Sequence, residues 1–237
     1  MASRPLTGHV LSPSRGPVLG LLLAATTLAV AGPACAAAAD CITLEDFSRA
    51  AVGEFPADWK VRDHEGRGVY TVAEEGGRRF LRALSSGAGI QAGRESEGWS
   101  LGSHPVLAWS WRPRQFPRGA DERAPATNDS ALAVYMAVPH SKVRGPRAMK
   151  YVWSEKVPAG THLSSNAGLT RVIVLRSGPP PAKGAWVEER VNVLRDWQTA
   201  FNEPEIPKPG GIAVLTDADD TRSTAAGDYA GFRACRG

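Results

Sequence analysis

The densest group of chemically capable side chains lies in "TDADDTRSTAAGD", residues 216–228. Asp217, Asp219, Thr221, Ser223 and Asp228 stand at positions 1, 3, 5, 7 and 12 of a calcium-loop spacing. Clustered oxygen donors of this kind suit a hard cation. Two positions depart from that pattern. Arg222 occupies the sixth place, where the tight turn wants glycine, and Asp228 replaces the glutamate that ordinarily ligates through both oxygens. The flanks read as strands and not as helices, so this is no helix–loop–helix calcium motif. Asp217, Asp219 and Asp228 are therefore candidate metal ligands, and calcium is the one cofactor the sequence suggests. The competing reading is a solvated loop whose Asp and Ser side chains bond their own backbone. A third is a carboxylate pair for acid–base work.

Aromatic residues form the second group. Trp109, Trp111, Tyr135 and Trp153 fall on segments that read as strands. Flat rings on a sheet face can stack on sugar rings, joining apolar contact to a polar edge. These four are the candidate ligand-binding residues, and sandwich core is the competing reading. Other signals are weak. "GWSLG" (98–102) has the G-x-S-x-G pattern, but a nucleophile elbow needs a strand before Ser100 and a helix after it, and a loop precedes and a strand follows here. His64, His104, His140 and His162 are scattered, with no zinc spacing among them.

The elements that must position these groups are short. "PVLAWSWRP" (105–113) alternates, with Leu107, Trp109 and Trp111 on one face. "SALAVYMAV" (130–138) and "AMKYVWS" (148–154) alternate as well, and "RVIVLRSG" (171–178) is apolar enough to be covered on both faces. "GVYTVAEE" and "RFLRALS" flank Gly76-Gly77, a hairpin signal. "CITLEDF", "AWVEERVNVL", "GIAVLT" and "DYAGFRAC" read as further strands. "LRDWQTAFN" (194–202) is the one helix, with Trp197 and Phe201 on a shared face against the sheets. About ten strands and one short helix argue for an all-β, antiparallel two-sheet sandwich of jelly-roll type. In this reading 211–216 and 227–235 are adjacent antiparallel strands bridged by the aspartate loop.

Length and charge bound the rest. Arg4 and Arg15 precede an apolar run, Val18 to Ala31, and small residues at 34–37. This is the pattern of a secretory signal peptide, residues 1–36, leaving a single β-sandwich domain over 37–237. No other apolar run approaches membrane length. Loss of the two arginines lowers the formal charge from +4 to +2, which removes the electrostatic case for nucleic acid. Cys41 and Cys235 remain at the two ends of the mature chain. In an oxidising compartment they are expected to bond. The expected location is periplasmic or secreted; the oligomeric state stays open.

Several blocks together resemble a bacterial exported family known only as domain-of-unknown-function family 3047. They are "LEDF", "LAWSWRP", "NDSALAVYMAV", "MKYVWS", "VIVLRSG", "ERVNVLRDWQTAF" and "GIAVLTDADDTRSTAAGDYAGF". They span about Leu44 to Arg233. The resemblance implies one β-rich domain in the cell envelope and carries no activity. The expected function is a non-catalytic binding module for glycan or another envelope component. One alternative is a polysaccharide hydrolase or lyase using Asp217, Asp219, Glu155 or Glu189. The other is a structural envelope protein without a small ligand.

Overall fold

The computed structural model describes residues 40–61 and 64–237. The signal peptide expected over 1–36 lies outside the described residues. Among those described, no helix is long and apolar enough to cross a membrane.

Thirteen strands and one α-helix are present among the described residues. The strands are β1 (Cys41–Glu45), β2 (Lys60–Val61), β3 (Tyr70–Glu75), β4 (Arg78–Ser86), β5 (Gly89–Glu95), β6 (Val106–Gln115), β7 (Leu132–Ser141), β8 (Gly145–Ser154), β9 (His162–Ser165), β10 (Thr170–Ser177), β11 (Val187–Asn192), β12 (Gly211–Asp217) and β13 (Thr224–Cys235). The helix is α1 (Val193–Phe201). A six-stranded sheet runs β11-β6-β13-β4-β3, with β1 also paired to β13. A seven-stranded sheet runs β2-β5-β12-β7-β8-β10-β9. The result is an all-β, jelly-roll-like two-sheet sandwich with one short helix.

Period-2 patterning explains which side chains meet between the sheets. Leu107, Trp109 and Trp111 alternate with Ala108, Ser110 and Arg112 along β6, and the three large residues join the main core. Tyr151 and Trp153 do the same from β8. Trp109 meets Trp111 edge-on at 5.2 Å between ring centroids, Trp109 lies 5.7 Å from Tyr151, and Trp111 lies 5.7 Å from Trp153. The aromatic seam thus fills the space between the two sheets. Emptying any one of these ring sites costs about 3–5 kcal/mol.

Turn chemistry sets the hairpins. Gly76 and Gly77 adopt φ of 58° and 77° and join β3 to β4. Both residues sit in the left-handed region that a tight hairpin turn requires. The helix is capped at both ends: the Asn192 side chain accepts from Arg195 N at 2.9 Å, and Asn202 closes it at φ 55°. Trp197 is buried and packs against Phe201 with ring centroids 4.3 Å apart and the planes tilted by 42°, and the Arg147 guanidinium lies over both rings. Cys41 and Cys235 face each other across β1 and β13 and form a disulfide.

Three features differ from the sequence-based expectation. The sheets are not wholly antiparallel, since β10 pairs β8 in parallel. The segment after β12 is a crossover and not a hairpin: β12 lies in the seven-stranded sheet between β5 and β7, and β13 in the other between β6 and β4. Finally, β2, β5 and β9 join the seven-stranded sheet, although their sequences carry too little apolar alternation to announce strands.

Candidate functional site

The seven-stranded sheet is apolar on both faces. Its outer face gathers Ala133 and Tyr135 from β7, Ala148 and Val152 from β8, Val172 from β10, and Ala213 and Leu215 from β12 into a second buried cluster. Lys150 of β8 alternates with the core residues Met149 and Tyr151, so it belongs to this outer face, directly across from Tyr135. Asp217, at the end of β12, shares the parity of Ala213 and Leu215.

A buried ammonium defines the centre of this face. Lys150 is only 5% exposed, and its Nζ lies 5.7 Å from the centroid of the Tyr135 ring. Among the described residues no carboxylate forms an ion pair with it. Burial pulls its pKa down, but Tyr135, Asp217 and Glu122 outweigh that and hold it above the ordinary lysine value. The group stays charged at neutral pH. Burial raises the Tyr135 phenol in the other sense, opposed by Lys150, so the phenol stays a neutral hydroxyl.

The segment between β6 and β7 forms a wall beside this face. Glu122 is buried and accepts from Ser130 Oγ at 3.1 Å and Ser154 Oγ at 2.6 Å, which ties the wall to the ends of β7 and β8. Asp121 accepts from Arg123 Nε at 2.8 Å and Nη2 at 2.6 Å, and that pairing lowers its pKa to about 2. Between wall and sheet lies a cavity of about 250 Å³. Its floor is Lys150, Val172 and Leu163; Ser164, Ser165 and Asn166 line one side, and Glu122, Arg123 and Asn128 the other. Hydroxyl, amide and cationic groups and the Glu122 carboxyl therefore surround a partly apolar floor.

The wall ends in an acidic corner. Carboxylate oxygens of Asp129, Asp219 and Asp220 lie within 4.8 Å of one another. Asp129 is fully buried and caps the crossover, accepting from Asp220 N at 3.2 Å, from Thr221 N at 2.8 Å and from the Thr221 hydroxyl. Asp217 stands beside Asp219 opposite Gly89 of β5. A Cβ at Gly89 would collide with Asp217 Oδ1 and Asp219 Oδ2, so glycine leaves the space in which the two carboxyls face each other. Asp217 Oδ1 is buried without a hydrogen-bond partner. Burial, with Asp219 adding to it and Lys150 opposing it, pushes the Asp217 carboxyl up to about 8.

The residues singled out from sequence separate. Trp109, Trp111 and Trp153 are at most 1% exposed and packed between the sheets, so they cannot stack on a ligand: alternation places them with Leu107 and Met149 in the core. Tyr135 alone of that group lies on the outer face. Asp228 leaves the proposed metal set. It sits on β13 in the other sheet, where Arg82, Arg112 and Arg114 bind it at 3.1, 2.7 and 3.4 Å. Asp217 and Asp219 stay together and are joined by Asp220 and Asp129. Glu155 is exposed, and Glu189 accepts from Trp111 Nε1 at 3.0 Å and Arg176 Nε at 2.7 Å on the other sheet. Neither shares a cleft with Asp217. Ser100 sits in a turn, with its carbonyl taken by His104 N at 2.9 Å. No histidine joins the acidic corner among the described residues.

Sequence reasoning missed Lys150, Glu122 and Asp129. Lys150 had a signal: a lysine on the alternate face of an otherwise apolar strand, "AMKYVWS". Asp129 and Glu122 had none, because their partners are remote in the chain.

The fold and this face define a β-sandwich with a walled polar site on the outside of its larger sheet. The chain belongs to the family described as protein of unknown function (DUF3047), whose model matches residues 57–233. No curated protein matches it. Among solved structures it is similar to a non-crystalline cellulose specific carbohydrate-binding module, CBM28, at 11% identity and a TM-score of 0.42, over 84% of this chain and 95% of that one. It is also similar to a meso-active thermo-stable cellulase derived from Cel12A of Rhodothermus marinus, at 13% identity and a TM-score of 0.39, over 74% and 95%. A mutant ENZbleach xylanase matches at 11% identity and a TM-score of 0.38, over 82% and 87%.

Proposed function

We propose that the protein is exported to the cell envelope and binds a glycan there, without transforming it, on the outer face of the seven-stranded sheet. The observation that carries this is the cavity built on Lys150. A charge is costly to hold out of water without a partner ion, and this one lies against a cavity lined by serine hydroxyls and asparagine amides. Such groups suit sugar hydroxyls, while Leu163 and Val172 offer an apolar floor to a ring face. The buried ammonium favours a glycan bearing a carboxylate. The disulfide supports export, since such bonds persist in oxidising compartments. The test is a glycan array probed with the purified protein. Binding to acidic glycans, weakened at least about tenfold by Lys150→Gln, is expected, since losing a charge-assisted hydrogen bond costs about 1.5–3 kcal/mol. An array with no acidic glycan bound overturns the reading.

Asp217 favours a second reading. A carboxyl held near 8 on the same face as Tyr135 and Lys150 is poised as a general acid at neutral pH. A polysaccharide hydrolase or lyase would then release new reducing ends from an acidic polysaccharide, and Asp217→Asn would abolish that release. Release undiminished in the variant removes Asp217 from such chemistry.

A further inference from the structure

We propose that Asp129, Asp217, Asp219 and Asp220 form a binding site for a hard divalent cation, calcium, at the corner where β12 leaves the larger sheet. The cluster brings oxygen donors from two remote parts of the chain together: Asp129 from the wall before β7, and Asp219 and Asp220 from the crossover after β12. Asp217, the last residue of β12, adjoins Asp219. Donors are oxygen throughout, as calcium prefers.

Two observations point to a ligand beyond the clustering itself. Asp217 is 9% exposed, and its Oδ1 is buried without a hydrogen-bond donor. A buried oxygen of this kind normally has a partner. It faces Asp219 Oδ2 across the space that Gly89 keeps clear. In addition, among the described residues no lysine or arginine forms an ion pair with any of the four aspartates. Asp129 Oδ1 accepts only from Asp220 N and keeps a lone pair free for a cation, while Oδ2 is filled by Thr221 N and the Thr221 hydroxyl. The Thr221 hydroxyl, which also contacts Ser223 Oγ at 2.7 Å, adds a neutral oxygen at the rim. A cation here would join the wall to the crossover, and Asn128, next to Asp129, lines the outer-face cavity.

The test uses the purified protein with its disulfide formed, stripped with EGTA and titrated calorimetrically with CaCl2 and, separately, MgCl2. One saturable calcium site is expected, with a dissociation constant of roughly 10⁻⁴–10⁻³ M or tighter. Magnesium should bind more weakly, since it demands a regular octahedron and sheds water reluctantly. Asp219→Asn and Asp220→Asn, both at exposed positions, should each weaken calcium at least about tenfold, a loss typical of ligand-shell changes. At calcium near 100 times its dissociation constant, Tm should rise by about 5–10 °C in the wild type and markedly less in the variants. Absence of a saturable site up to ~10 mM calcium overturns the proposal, as does binding undiminished in both variants. Magnesium binding as tight as calcium overturns the assignment to calcium.

Discussion

Asp217 and Asp228 are separated by a single crossover, yet they live in opposite electrostatic worlds. Asp228 is fully buried on the smaller sheet and held by three arginines, of which Arg112 also bonds Glu75 and the Gly184 carbonyl. Asp217 is nearly as buried on the larger sheet and faces other carboxylates. Charge balance closes the first region; it is a brace. The second holds Asp129, Asp219 and Asp220 together with no ion pair to any of them among the described residues, and leaves Asp217 with an unpartnered oxygen. Burial alone therefore does not mark a functional carboxylate. What separates the two is whether the fold supplies the countercharge.

The largest expected effect probes the open side. Asp217 ordinarily titrates at 3.8 and is held near 8 in the fold. Below about 3.8 both folded and unfolded chains carry the proton. Between 3.8 and 8 the folded chain keeps it while the unfolded chain has shed it, so stability falls as pH rises through this window. The loss is about 6 kcal/mol at most. Urea melts in EGTA at pH 4.5, 6 and 8 should show that decline, and Asp217→Asn should flatten it. A wild-type slope unchanged by the substitution would mean that Asp217 is no more strained than Asp228.

The closed side should respond in the opposite sense. Asp228→Ala strips the countercharge from Arg112, whose side chain is 7% exposed, and should cost about 3–5 kcal/mol, as breaking a buried pair does. Chemical denaturation at pH 7 measures it. A cost below about 1 kcal/mol would show that Asp228 is no brace.

Gly89→Ala separates the two regions by geometry. The added methyl group lands between Asp217 and Asp219 and should cost about 1–3 kcal/mol. It should also weaken calcium while leaving the arginine cluster untouched. Unchanged thermal melts with and without calcium would show that the corner relaxes freely.

The smallest effect belongs to Arg114. Its side chain is 47% exposed and its contact to Asp228 is the longest of the three, 3.4 Å. Arg114→Ala should shift stability by less than about 1 kcal/mol. A loss comparable to that of Asp228→Ala would show that all three arginines act as one unit.

Local pattern made much of the fold legible. Alternation in "VLAWSWRP" and "ALAVYMAV", the Gly76-Gly77 turn, and the Trp197–Phe201 spacing each encode one element through its own side chains. The strand β5 escaped because "GIQAGRE" has few apolar residues of its own; β2 and β12 on either side supply its pairing. Tyr135 and Asp217 were visible as residues able to do chemistry. Lys150 was visible as an anomaly in an apolar strand, but nothing local says which face of that strand is covered by the other sheet.

The sequence by itself determined the all-β class, the two-sheet sandwich and the pairing of Cys41 with Cys235, because side-chain period, turn residues and the two cysteines left beyond the expected signal peptide, which takes Cys35, are local or countable properties. Only the tertiary structure decided that β12 and β13 belong to different sheets. That one assignment sends Asp228 to three arginines and Asp217 to Asp219, and brings Asp129 to the crossover. It also turned the three tryptophans inward and left Tyr135 and Lys150 on the outer face. The physical reason is that period 2 specifies two faces for every strand, while which face meets the core depends on neighbours far away in the chain.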